Sequence, residues 1–121
     1  MNTGEIGEKL AVDYLKTRGF KIVSRNFRVK FGELDIVCQK GRLLVFVEVK
    51  ALVSGSEQRF LPEQHFTKQK IARLKRAIEI FLIKNKLPDG IEQRLDLIAI
   101  ELDENTNLKD LRHYENVSDT L

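Results

Sequence analysis

The sequence predicts an α/β fold, a mixed β-sheet with helices packed on its faces. Three observations carry this. Apolar residues recur at helical spacing around Ile6 and again around Ile71, three strand-like runs separate those stretches, and a fourth strand follows the second helix. Strands joined by tight turns pair antiparallel, whereas a strand reached through a helix usually joins its neighbour in parallel. The expected order is α-β-β-β-α-β, as one domain over residues 1–121.

The first helix is expected from about Gly4 to Arg18. Asn2 or Thr3 can cap it, Asn2 and Glu5 have capping-box spacing, and Gly19 stands where a C-terminal cap belongs. Ile6, Leu10, Tyr14 and Leu15 form its apolar stripe. Phe20 to Arg28 reads as a strand, with Ile22 and Val23 supplying β-propensity. Two more strands follow, Glu33–Gln39 and Leu43–Ala51, joined at Lys40-Gly41-Arg42, where glycine suits a tight hairpin. Leu52–Gln64, with Ser54-Gly55-Ser56 and Pro62, is expected to be a mobile surface loop. The second helix is expected over His65–Asn85, with Ile71, Leu74, Ile78, Phe81 and Leu82 on its buried stripe and Pro88-Asp89-Gly90 ending it. Arg94–Leu102 is the fourth strand; Leu95, Leu97 and Ala99 share one face, and Arg94, Asp96, Ile98 and Ile100 the other. Leu108–Val117 offers a short edge strand.

Composition excludes several classes. With 42% hydrophobic and 32% charged residues the chain is an ordinary globular one. Its longest apolar stretch, Leu43–Val47, is too short to cross a bilayer, and no secretory signal opens the chain. The single Cys38 rules out an internal disulfide and fits a buried, inert thiol, so a reducing cytoplasm is the expected compartment. Net charge is only +3, but His65–Lys86 holds seven bases against one acid, Glu79. A basic helix of this kind suits a polyanion such as a phosphate backbone, or is simply a solvated face.

The chemistry lies on the hairpin. If Gly41-Arg42 is a two-residue loop, Lys40 pairs with Leu43 and Asp35 falls opposite Glu48. Glu33, Asp35, Glu48 and Lys50 then share one face, while Leu34, Ile36, Cys38, Val45, Val47 and Val49 fill the other. A three-residue loop would flip one strand's faces. Two carboxylates and an ammonium around one point can hold a divalent metal beside a phosphate; Mg²⁺ takes one or two carboxylates and keeps several waters. The competing reading is a half-exposed polar face with a cross-strand Glu–Lys pair, in which Glu33 partners Lys50. Arg94 and Asp96 suit a structural ion pair. His65 and His113 have no partner at ligand spacing and read as surface residues.

These motifs resemble the PD-(D/E)xK nuclease superfamily, and most closely the YraN-like family of uncharacterised, endonuclease-like bacterial proteins. The resemblance runs from residue 4 to about residue 100. It rests on Gly4-Glu5-Ile6-Gly7-Glu8, Ala11, Tyr14-Leu15, Gly19-Phe20, Arg25-Asn26-Phe27-Arg28 and Gly32-Glu33-Leu34-Asp35-Ile36-Val37. Leu44-Val45-Phe46-Val47-Glu48-Val49-Lys50, Lys70 with Arg73-Leu74, and Arg94-Leu95-Asp96-Leu97-Ile98 extend it. Ala51-Leu52-Val53 and Lys68 depart from the family pattern, which usually has an Arg followed by a Phe-Gly pair after the Glu-x-Lys, and a Pro opening the second helix.

The resemblance implies a restriction-endonuclease-like three-layer fold and a Mg²⁺- or Mn²⁺-dependent DNA endonuclease. Asp35, Glu48 and Lys50 would be catalytic, and Asp35, Glu48, the Val49 carbonyl and Glu8 would form the metal set. Lys70, Arg73, Arg25 and Arg28 would contact nucleic acid. Relatedness to archaeal Holliday junction resolvases points to branched or structured DNA and admits a homodimer. The rival readings are a non-catalytic nucleic-acid-binding protein that keeps the fold, and a partner-binding domain whose carboxylates serve solubility.

Overall fold

The computed structural model describes residues 1–54 and 67–119. Helix α1 (Thr3–Thr17) is followed by strands β1 (Lys21–Val29), β2 (Gly32–Lys40) and β3 (Leu43–Val53), helix α2 (Lys68–Lys84), and strands β4 (Gln93–Leu102) and β5 (Leu108–Tyr114). A single 3₁₀ turn, Val117–Asp119, closes the described chain. The five strands lie in sequence order, and only the β3–β4 pair, bridged by α2, is parallel. One helix covers each face, giving the expected three-layer α/β architecture, with β1 and β5 as the edge strands.

Local chemistry explains the helix ends. The Asn2 side chain accepts the Glu5 N–H at 2.8 Å, and Thr67 does the same for Lys70 N–H at 3.1 Å. At the far end of α1, Phe20 N–H reaches Leu15 O and Gly19 adopts φ +88°, a Schellman ending. Helix α2 stops before the expected Pro88 turn. Asn85 caps it, Lys86 takes φ +54°, and Leu87 N–H closes on Leu82 O, so the same ending is made without glycine.

The two faces of the sheet form two cores. Ile36, Cys38, Val45, Val47, Ile98 and Ile100 pack under Ala11, Val12 and Leu15 of α1. Leu34, Val37, Phe46, Leu95 and Leu97 pack under Leu74, Ala77, Ile78 and Phe81 of α2, where Phe81 stands edge-on to both Phe27 and Phe46. Strands β3 and β4 are buried on both faces, as central parallel strands require. No helix among the described residues is long and apolar enough to cross a membrane.

Three expectations change. Leu52 and Val53 continue β3, while the rest of the expected loop, residues 55–66, lies outside the described residues together with His65. Leu34 packs toward α2 rather than with Ile36, because strict alternation fails where β2 begins to part from β3. His113 is no surface residue: its side chain is only 9% exposed and hydrogen-bonds to Asp96.

A candidate metal centre where the hairpin opens

Gly41, at φ +59°, turns the hairpin, and the β2–β3 ladder runs from Lys40↔Leu43 to Ile36↔Val47. This is the two-residue register, and continuing it sets Asp35 against Glu48. Beyond Val47 a side chain takes over from the backbone. Asp35 Oδ2 accepts the Val49 N–H at 2.8 Å, two residues past the last ladder pair. The carboxyl is thereby fixed at the point where the strands separate. Val49 itself packs toward α1 with Ala51, so Glu48 and Lys50 face the α2 side.

The Asp35 and Glu48 carboxyls stand close enough to perturb each other, a juxtaposition that two ionised carboxylates resist. Burial and the Glu48 charge push the Asp35 carboxyl up to about 7, against the opposing pull of the Val49 N–H. Glu48 is also raised, chiefly by burial; Lys70, whose Nζ lies 3.4 Å from Glu48 Oε1, favours its ionised form. Such a pair held without a cation is electrostatically frustrated near neutral pH.

A third carboxyl arrives from α1. Helix α1 sits so close to β3 that a Cβ on Gly7 would lie 2.5 Å from the Ala51 Cβ, which only glycine avoids. The next residue, Glu8, then meets Glu33 and Asp35, with one oxygen from each within 4.8 Å of the others. Burial raises the Glu8 carboxyl, and the charges of Asp35 and Glu33 add to it. Asn26, in the left-handed region at φ +53°, holds its side-chain amide against both carboxyls; oriented nitrogen-inward, as their acceptor oxygens require, it donates to Glu33 Oε1 at 3.0 Å and Glu8 Oε2 at 3.2 Å. The donor set is all oxygen, the kind that hard divalent cations take. Glu8, Glu33 and Asp35 fit such an ion, and Glu48 adjoins the trio through Asp35.

The remaining candidates divide. Lys50 is half-buried, beside Ala99 in register, and its ammonium has no hydrogen bond or ion pair among the described residues. Glu33 does not partner it; Glu33 sits with Glu8 and Asp35, 3.9 Å from Arg28. Lys70, expected on a phosphate, lies with its Nζ 3.4 Å from Glu48 Oε1. Arg25 lies near enough to Glu8 to favour its ionised form. Arg73 is exposed on α2, one turn beyond Lys70, with its carbonyl against the β1–β2 turn at Gly32. Spacing alone underrated Glu33, although its place on the same strand face as Asp35 was the available signal.

A second polar cluster is structural. Asp96 is fully buried and accepts from Arg94 Nε at 2.8 Å, Arg94 Nη2 at 2.9 Å and Asn116 N–H at 3.0 Å. His113 Nε2 completes the set at 2.8 Å, and its Nδ1 meets Tyr14 Oη at 3.0 Å. Burial opposes the charge on Asp96, but the hydrogen bonds from His113, Arg94 and the Asn116 N–H outweigh it and hold the carboxyl below its ordinary range. The expected Arg94–Asp96 pair is thus present, and through His113 it ties β4 and β5 to α1.

The model of the uncharacterised protein family UPF0102 matches residues 7–100, nearly the whole span that resembles the YraN-like family. A UPF0102 protein of Carboxydothermus hydrogenoformans is 39% identical over 123 aligned positions, covering 98% of this chain and 99% of the relative. One from Kosmotoga olearia is 42% identical over 100 positions, 83% of each chain. A third, from Thermodesulfovibrio yellowstonii, is 38% identical and covers 93% of this chain and 92% of its own.

Proposed function

We propose that this chain, which belongs to the uncharacterised protein family UPF0102, is a metal-dependent endonuclease that hydrolyses phosphodiester bonds in DNA. The observation that carries the reading is the Asp35–Glu48 carboxyl pair, forced together on adjacent strands with Asp35 pushed up to about 7. Stability alone gives no reason to bury two acids against each other. A divalent cation gives one, because it replaces mutual repulsion with shared attraction.

In this reading Asp35 and Glu48 hold Mg²⁺ or Mn²⁺, with the Val49 carbonyl and Glu8 completing the set and Glu33 supporting through Glu8. The ion, when bound, polarises the phosphate and lowers the pKa of a water. The chain's own groups do the rest. Lys50, without a protein partner among the described residues, orients the attacking water or steadies charge developing on the phosphate. Lys70 stands beside Glu48 and favours its ionised form against the burial that raises it. Arg25, Arg28 and Arg73 meet the flanking backbone as positive charges, which makes binding salt-dependent. Branched or flapped DNA is the substrate class suggested by the resolvase resemblance. A homodimer would bring two such sites to two strands, and a reducing cytoplasm suits the lone thiol.

The test incubates the purified protein with linear, flapped and four-way DNA in Mg²⁺, Mn²⁺ or EDTA. Metal-dependent cleavage that disappears in Asp35→Asn and in Glu48→Gln is the expected result. Salt-sensitive binding without cleavage would instead assign the chain as a nucleic-acid-binding protein that keeps a nuclease fold.

A further inference from the structure

The turn between β1 and β2 has two residues, Lys30 and Phe31, because Val29 pairs directly with Gly32. Tight turns favour Gly, Asn, Asp, Ser and Pro. Here an aromatic ring stands at the tip, 62% exposed, with the Lys30 ammonium 5.3 Å from its centroid. Single exposed apolar residues are ordinary, but this one lies beside a concavity. Val29, Lys30, Phe31, Arg73, Arg76 and Ile80 line a cavity of about 190 Å³, with Ile80 also partly exposed. An apolar cavity of about 150 Å³ is enough for a benzene ring.

Half of the lining side chains are cationic and none is acidic. An aromatic face ringed by lysine and arginine is what a nucleobase with its flanking phosphates requires: the ring stacks, and the cations take the backbone. The direction of the strand follows from the chain. A Cβ added to Gly32 would lie 3.7 Å from the Arg73 carbonyl oxygen, Arg73 is one helical turn from Lys70, and Lys70 pairs with Glu48. On the strand side, Phe31 precedes Glu33 by two residues and Asp35 by four. The cavity and the carboxyl pair are therefore neighbours along both elements.

We propose that this cavity is a stacking subsite for an unpaired base, so that the substrate carries a single-stranded segment beside the bond to be cut. The proposal deepens the nuclease reading and rests on it only for the role of the neighbouring carboxyls. A duplex keeps its bases stacked inside and offers the Phe31 ring nothing to stack on, whereas a flap or an open junction arm does. The subsite thus favours substrates with unpaired nucleotides.

The chain has no tryptophan, so Phe31→Trp introduces a single tryptophan at the site, whose emission is read apart from that of the two tyrosines. In EDTA, titration with a 16-nucleotide dT oligonucleotide is expected to quench it, while a blunt duplex of the same length quenches far less. Phe31→Ala is expected to weaken single-strand binding about five- to a hundredfold, the range for losing one base–aromatic stack, with little effect on the duplex. Arg76→Ala should lower the salt slope for the oligonucleotide by about 0.7. Unchanged fluorescence, equal single-strand affinity in Phe31→Ala, or a spectral change that depends on protein concentration alone would overturn the proposal, the last in favour of self-association. Because these readings need neither metal nor cleavage, quenching with no cleavage would retire the nuclease reading and leave the subsite standing. Cleavage without quenching would do the reverse.

Discussion

Replacing Asp35 with asparagine is expected to stabilise the metal-free protein at pH 8 and to leave it little changed near pH 4. The folded carboxyl titrates at about 7, against an ordinary 3.8, chiefly through burial and the charge of Glu48. Between those values the unfolded chain has released its proton while the folded chain keeps it. Stability therefore falls as pH rises, by about 1.4 kcal/mol per pH unit, and the loss is complete above pH 7. The interval of about three pH units sets a ceiling of about 4 kcal/mol. About 2 kcal/mol is the working figure, since Asp35 and Glu48 titrate as a pair and part of the strain falls on Glu48. The amide of the Asp35→Asn variant keeps both contacts: its oxygen can accept the Val49 N–H and its nitrogen can donate to Glu48. Urea denaturation in EDTA, followed by circular dichroism from pH 4 to 8, measures the difference. Parallel pH profiles for parent and variant, or a variant less stable at pH 8, would refute the reasoning.

Three further outcomes follow from the packing. Gly7→Ala should cost about 1–3 kcal/mol through its clash with Ala51, and a double variant with Ala51→Gly should show a coupling of about 1 kcal/mol in a denaturation cycle. Asp96→Ala should cost about 3 kcal/mol by leaving Arg94 and the Asn116 N–H without their acceptor. Because the folded Asp96 carboxyl lies below its ordinary 3.8, its stabilisation is present above that pH and fades as pH falls further; the variant should lose less stability than the parent in that acid range. The Cys38 thiol, fully buried and pushed up to about 12, should resist disulfide-exchange reagents in the native protein and react at once in denaturant.

Much of this fold is legible because local chemistry and long-range packing agree. Asn2 and Gly19 mark the ends of α1, Gly41 sets the hairpin register, and the helix between β3 and β4 dictates their parallel pairing. The candidate site was legible only as a set of strand positions. Alternation put Asp35 and Glu48 across from each other, but it could not show the strands parting after Val47, so that a carboxyl takes a backbone donor. Nor does spacing reveal that Lys70 answers Glu48, since one lies on a strand and the other on a helix beyond residues 55–66. The break in β1 register between Ile22 and Ser24, and the left-handed Asn26 that bridges Glu8 and Glu33, have no periodic signature. His113 seemed isolated because Tyr14 is 99 residues away and Asp96 is 17. Contacts over such distances are made by topology, not by motif.

Whether Asp35 and Glu48 together hold a divalent cation is decided by titrating the metal-free protein with Mn²⁺ in a calorimeter. Two buffers of different ionisation enthalpy, at pH 6 and again at pH 8, resolve the protons released. One ion per chain is expected, with close to one proton released at pH 6 and almost none at pH 8, and no such binding in Asp35→Asn or Glu48→Gln. Binding that survives both substitutions, or no binding by the parent at millimolar Mn²⁺, would contradict it.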